Sequence, residues 1–239
     1  MKQKRVRKSN AMRCIFTLVF SLIVASSFAQ QISYADWKEE AKTQINLRPE
    51  YGNVVKSQGE IDEDNKFIET VLGQDTTRRK GSEHLVDLGF NYLYRGDLKT
   101  AMRRFNQAWL LDPKNENAYW GFGAIYFSFN DFDEALKQLE KGLLINPNSS
   151  NILTDKATIY TSFYRNDHNL DWLNKAVELF SKSYKIDPSN QNTLFKLSAA
   201  YYYKNDCINA KKFYDECMKL GGRPIPDGYA EAIKKLCGR

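Results

Sequence analysis

The residues with chemistry to offer are few and scattered. Two histidines, His84 and His168, stand 84 positions apart, and neither their number nor their spacing suits a histidine-based metal site. Four cysteines, Cys14, Cys207, Cys217 and Cys237, are too few for a dense disulfide scaffold. Glu60, Asp62, Glu63 and Asp64 form an acidic run that would have to be paired for acid–base work, and it reads better as a solvated helix face. No Gly-rich phosphate loop, Gly-x-Ser-x-Gly elbow or His-Glu-x-x-His helix occurs. The sequence therefore points away from catalysis: no catalytic residue, metal site or cofactor is expected.

Charge narrows the partners. The chain of 239 residues carries a net charge of +6, which at first suggests nucleic acid. Six of the basic residues (Lys2, Lys4, Arg5, Arg7, Lys8, Arg13) stand within the first 29 positions, where no acidic residue occurs. That leaves 29 basic against 29 acidic groups in the remainder, so no general grip on a phosphate backbone is expected. The local cluster Arg78-Arg79-Lys80 reads as a solvated helix end or linker.

Those first residues read as an address. A basic start precedes an apolar run from Cys14 to Ala25, and small residues lead to Ala29. This is the layout of a cleavable signal peptide, cut after Ala29. The run is short of the roughly 20 apolar residues that a span needs, so membrane contact is expected only before cleavage. The expected location is periplasmic or secreted, where disulfides persist.

The rest is periodic. Leu111-Asp112-Pro113, Ile145-Asn146-Pro147 and Ile186-Asp187-Pro188 are three like stops, spaced 34 and then 41 residues apart. Twelve residues before each proline stands Ala101, Ala135 or Ala176; eight before stands Phe105, Leu139 or Phe180; five before stands Ala108, Gly142 or Ser183. Leu88-Gly89 and Tyr92 recur as Phe122-Gly123 and Tyr126. A last unit without the proline keeps the phase through Leu194, Leu197-Ser198, Tyr201, Ala210 and Tyr214. Each unit holds two helical patterns joined by a turn whose Asp or Asn can cap the second helix. Proline then stops that second helix. Gly89, Gly123, Ala101 and Ala135 lack bulk and let the paired backbones approach.

A 34-residue period with large and small residues in this phase resembles the tetratricopeptide repeat family, over about Ser82 to Gly222. The resemblance implies an all-α, right-handed superhelical solenoid with the first helix of each pair lining a concave face. Four units follow: 82–115, 116–149, 150–190 with seven extra residues, and 191–222. The extra residues, about two helical turns, fall around Arg165 to Trp172 and should lengthen the third hairpin, with Trp172 packed beneath it. Residues 30–81 are expected to form a helical hairpin (Tyr34 to Leu47, then about Glu60 to Leu72) and a linker, packed on the N-terminal end of the array. Residues 223–239 are expected to form a capping helix, with Asp227 as a candidate N-cap.

If the capping helix runs like the first helix of a further repeat, its end meets the turn before the last second helix. A Cys207–Cys237 bridge would then close a loop of about 30 residues and contribute about 3 kcal/mol. The competing reading is three reduced thiols, two of them small apolar fillers.

On the same resemblance the concave groove is the candidate binding surface. Phe90, Tyr94, Asn117, Trp120, Phe127, Asn151, Asn192, Phe195 and Tyr202 face it by register, as do Asp155 and Lys196. The asparagines could bond a peptide backbone or merely suit a helix start. Family members that grip an acidic C-terminal tail use lysine, asparagine and arginine. Here the comparable positions hold Val86, Phe90, Gly121, Asn151 and Asp155, so a mixed or apolar segment is expected instead of a free carboxylate. The sequence therefore reads as a non-enzymatic scaffold whose partner is a protein or peptide. The alternative is a structural part of a cell-envelope complex, gripping neighbours by its ends and third hairpin.

Overall fold

A computed structural model describes residues 32–238. The expected signal peptide and the cut after Ala29 lie outside the described residues. Within them the regular structure is helical. Four pairs follow one another: α3 (Arg78–Tyr94) with α4 (Leu98–Leu111), α5 (Glu116–Ser128) with α6 (Phe132–Ile145), α7 (Ser150–Asp167) with α8 (Leu170–Ile186), and α9 (Gln191–Tyr203) with α10 (Cys207–Lys219). Each helix packs on its pair partner, each second helix packs on the next first helix, and α3, α5, α7 and α9 lie side by side. This is an all-α solenoid of helix pairs. Among the described residues no helix is long and apolar enough to cross a membrane.

The repeat chemistry explains the pairs. Gly96, Asn130 and Asn205 take the left-handed conformation that ends a helix. The next residue, Asp97, Asp131 or Asp206, accepts the backbone N–H of Thr100, Glu134 or Asn209 and so caps the second helix. At the far end Asp112, Asn146 and Asp187 are extended, as the residue before a proline must be. Between these limits the glycines set the packing distance. A methyl group on Gly89 would lie 2.4 Å from the Phe105 ring, and one on Gly121 would lie 2.3 Å from it. Phe105, fully buried, is thus seated between the backbones of α3 and α5.

The third pair is the longest, and its hairpin holds Trp172 half-buried between Tyr160 and Phe163, with ring centroids 5.8 and 5.2 Å away. The Trp172 indole donates to Asp167 at 3.1 Å. Arg79, at the start of α3, reaches Glu83, Asp112 and Glu116, so it clamps α3 to the turn before α5.

The N-terminal segment differs from the expected hairpin. Its first helix, α1 (Tyr34–Glu40), ends seven residues before Leu47. The Arg48 guanidinium donates to the carbonyls of Ala41 and Lys42, at 2.6 and 2.9 Å, and holds the chain in a turn that a continued helix would not allow. Tyr34 stacks on Phe129 at 4.9 Å and its hydroxyl donates to Asp131, while Trp37 is buried against the same phenylalanine. So α1 lies beside the α5–α6 turn.

The following residues, Glu50 to Asn53, all have positive φ. A non-glycine residue in that region costs about 1–2 kcal/mol. Buried anchors offset the cost. Asn106 of α4 accepts the Tyr51 N–H at 3.2 Å and donates to the carbonyls of Asn46 and Arg48 at 3.0 and 2.9 Å. Glu50 accepts from Tyr119 at 2.9 Å and pairs with Lys141. Burial works against the Glu50 carboxylate, but these hydrogen bonds outweigh it and hold its pKa below the ordinary value. α2 (Gln58–Leu72), opened by a Ser57/Glu60 capping box, packs on α3.

At the other end α11 (Tyr229–Cys237) packs on α10. Its N-cap is Gly228, at φ 79°, and not Asp227. Cys207 and Cys237 are joined by a disulfide, and Cys217 is a buried free thiol.

Candidate functional site

The first helices converge on a concave cavity of about 390 Å³. Its N-terminal wall is aromatic. Phe90 lies at the bottom, with Trp120 4.2 Å away and Tyr94 6.0 Å away between ring centroids. Tyr94 stands 77% exposed at the rim. Phe127 continues the wall from the next turn of α5 and Leu139 of α6 closes the floor. These rings come together because Phe90 and Tyr94 lie four residues apart on α3, and Trp120 and Phe127 seven apart on α5, so each pair shares a helix face.

The opposite wall is polar. α7 supplies Thr154, Asp155 and Thr158, and α9 supplies Asn192 and Lys196. The Trp120 Nε1 donates to Asp155 Oδ2 at 2.6 Å, so the aromatic and polar walls are joined. Burial pushes the Asp155 carboxyl above the usual carboxylate range, against the opposing pull of the Trp120 hydrogen bond and the Lys196 charge. Burial likewise pulls the Lys196 ammonium down, with Asp155 opposing and Arg165 adding to the fall. Thr154 is less available: its hydroxyl lies buried within a cluster with Ser183 and Thr193, at 2.9 and 2.7 Å.

Of the nine residues expected in the groove, Phe90, Tyr94, Trp120, Phe127 and Asn192 line this cavity. Phe195 and Tyr202 do not. Tyr229 of the capping helix packs on both, with centroids 5.3 and 6.2 Å away. The Tyr229 hydroxyl also lies 2.9 Å from Ser198 Oγ. Asn151 accepts from the Asn190 amide at 3.0 Å, which engages it between neighbouring first helices. Asn117 is half-buried outside the cavity. The helix caps are instead Asn115, Ser149 and Asn190. Asp155 and Lys196 share one repeat position on successive first helices. Register alone placed them in the groove, but their being unpaired could be seen only once the helices were packed.

Such an array, with paired helices in phase and a side-chain-lined hollow, defines a repeat scaffold. The sequence model of the tetratricopeptide repeat family matches residues 92–157. Among solved structures, one reported as a functional characterisation of PilF from Pseudomonas aeruginosa is similar over 66% of this chain and 68% of its own, at 16% identity and a TM-score of 0.55. MamA is similar over 72% of this chain and 98% of its own, at 20% identity and a TM-score of 0.45. YrrB, described as a TPR protein with an unusual peptide-binding site, is similar over 72% and 98%, at 14% identity and a TM-score of 0.34. The PilF likeness supports the fold. No curated protein matches in sequence.

Proposed function

We propose that this chain is an exported, non-enzymatic scaffold that holds a segment of a partner protein in the concave groove of its repeats. The observation that carries the reading is the cavity itself. An aromatic wall of Phe90, Tyr94, Trp120 and Phe127 faces a polar wall with Asp155 and Lys196. Clustered aromatic side chains in a concave surface are the usual anchors of protein recognition. Export is supported by the basic-then-apolar start with small residues before Gln30. The Cys207–Cys237 bridge suits an oxidising compartment.

Replacing Tyr94 with Ala removes a rim residue that packs little of the core, and Trp120→Ala removes the centre of the wall. Both variants should keep the helical circular dichroism of the parent. Each should lose at least tenfold in affinity for the natural partner, since an aromatic anchor that the partner covers contributes about 2 kcal/mol. Unchanged affinity in both variants contradicts the groove reading.

A second reading, as a structural part of an envelope complex, has one observation in its favour. Leu170 is 57% exposed at the tip of the third hairpin. Leu170→Ser should then abolish assembly while groove binding persists; intact assembly removes this reading.

A further inference from the structure

We propose that the groove selects a partner segment carrying a basic side chain and an acidic side chain in fixed order, the basic one against Asp155 and the acidic one against Lys196. This rests on the groove reading above and names the chemistry of its occupant.

The two charges face one cavity from adjacent helices, α7 and α9, yet they are not a salt bridge. Among the described residues Lys196 forms no ion pair within 4.0 Å and makes no side-chain hydrogen bond. Asp155 receives one hydrogen bond, from Trp120 to Oδ2. Among the described residues its other oxygen receives no hydrogen bond, and Asp155 lines the cavity. Two opposite charges thus face one partly buried hollow, each short of partners. A charge in such a place gains more from a hydrogen-bonded counterion than one in water.

The surroundings give the order. Beside Asp155 stand Phe90, Tyr94 and Trp120, and aromatic faces next to a carboxylate suit the stem and head of a lysine or arginine. Beside Lys196 the Arg165 charge adds positive field, which suits a carboxylate. Packed helix axes lie about 8–10 Å apart. An extended segment rises about 3.3 Å per residue, so the two side chains would stand two or three residues apart. The fixed dipole also sets the direction in which the segment lies.

The test pans a phage-displayed library of random linear peptides on the full chain with its disulfide formed, and in parallel on Asp155→Asn and Lys196→Met. Peptides enriched on the parent should share a basic and an acidic residue in one order and spacing. Asp155→Asn should lose the basic preference alone, and Lys196→Met the acidic preference alone. A synthetic parent-selected peptide should bind each variant about tenfold more weakly. If the peptides lose binding on Tyr94→Ala but show no such charge pair, this inference fails and the groove reading stands. If no enriched peptide depends on Tyr94, both fail.

Discussion

Trp120 Nε1 donates to Asp155 Oδ2 across 2.6 Å, joining the first helix of the second repeat to that of the third. The bond helps place a carboxylate where burial makes ionisation costly. Asp155 therefore holds its proton more tightly in the folded chain than in the unfolded one. Stability from this site falls as pH rises from the unfolded pKa through the higher folded one. Asp155→Asn keeps an acceptor for the indole and removes the charge. Its Tm should exceed the parent's at neutral pH, and the two should converge in acid as the parent carboxyl protonates. A lower Tm at neutral pH contradicts this balance.

Asn106 is the joint between the N-terminal segment and the array. Fully buried on α4, it satisfies one N–H and two carbonyls of residues 46–51. Asn106→Leu leaves those groups unpaired, and each orphaned group costs about 1–3 kcal/mol. The strained turn at Glu50 to Asn53 would lose its main tether. Limited trypsin digestion should then cut first at Lys56, because Pro49 protects the bond after Arg48, and leave the repeat array intact. An unchanged digestion pattern means that other contacts suffice.

Phe105 tolerates no side chain on Gly89 or Gly121. Gly121→Ala should cost about 1–3 kcal/mol, as overpacking of a filled core does. Phe105→Leu in the same chain should recover part of the loss, because the clash is with the ring. No recovery would place the strain elsewhere.

How much of this was written in the sequence depends on the range of the contact. Helix stops, caps and the small residues between paired helices are local, and each repeats in phase. Pro113, Asp131 and Gly123 therefore marked their roles before any coordinates. The path of residues 32–57 is not local. Beyond the Arg48 turn it is fixed by side chains 55 or more positions away, such as Asn106 for Tyr51 and Lys141 for Glu50, and no periodicity reports them. The same limit applied at the groove. Register assigned Phe195 and Tyr202 to the groove, but Tyr229 of the capping helix packs over both. The sequence spacing of Asp155 and Lys196 carried no sign that they would stand unpaired.

The disulfide ties the end of α11 to the start of α10, 30 residues apart in sequence. Beyond the packing of Ile233 and Tyr229, the disulfide is the anchor at the far end of α11. Cys207→Ser with Cys237→Ser should remove about 3 kcal/mol, and amide exchange should speed up in α11 before the repeats. Equal protection of α11 in both proteins contradicts a load on the bond.

The central claim is that the concave face holds the partner. A photo-crosslinking amino acid at Tyr94, on the rim of the cavity, and another at Leu144, exposed on a second helix, give the direct comparison in living cells. The groove reading predicts one dominant adduct from position 94, lost on adding Trp120→Ala, and no such adduct from position 144. An adduct from position 144 alone, or one from position 94 that persists without Trp120, contradicts it.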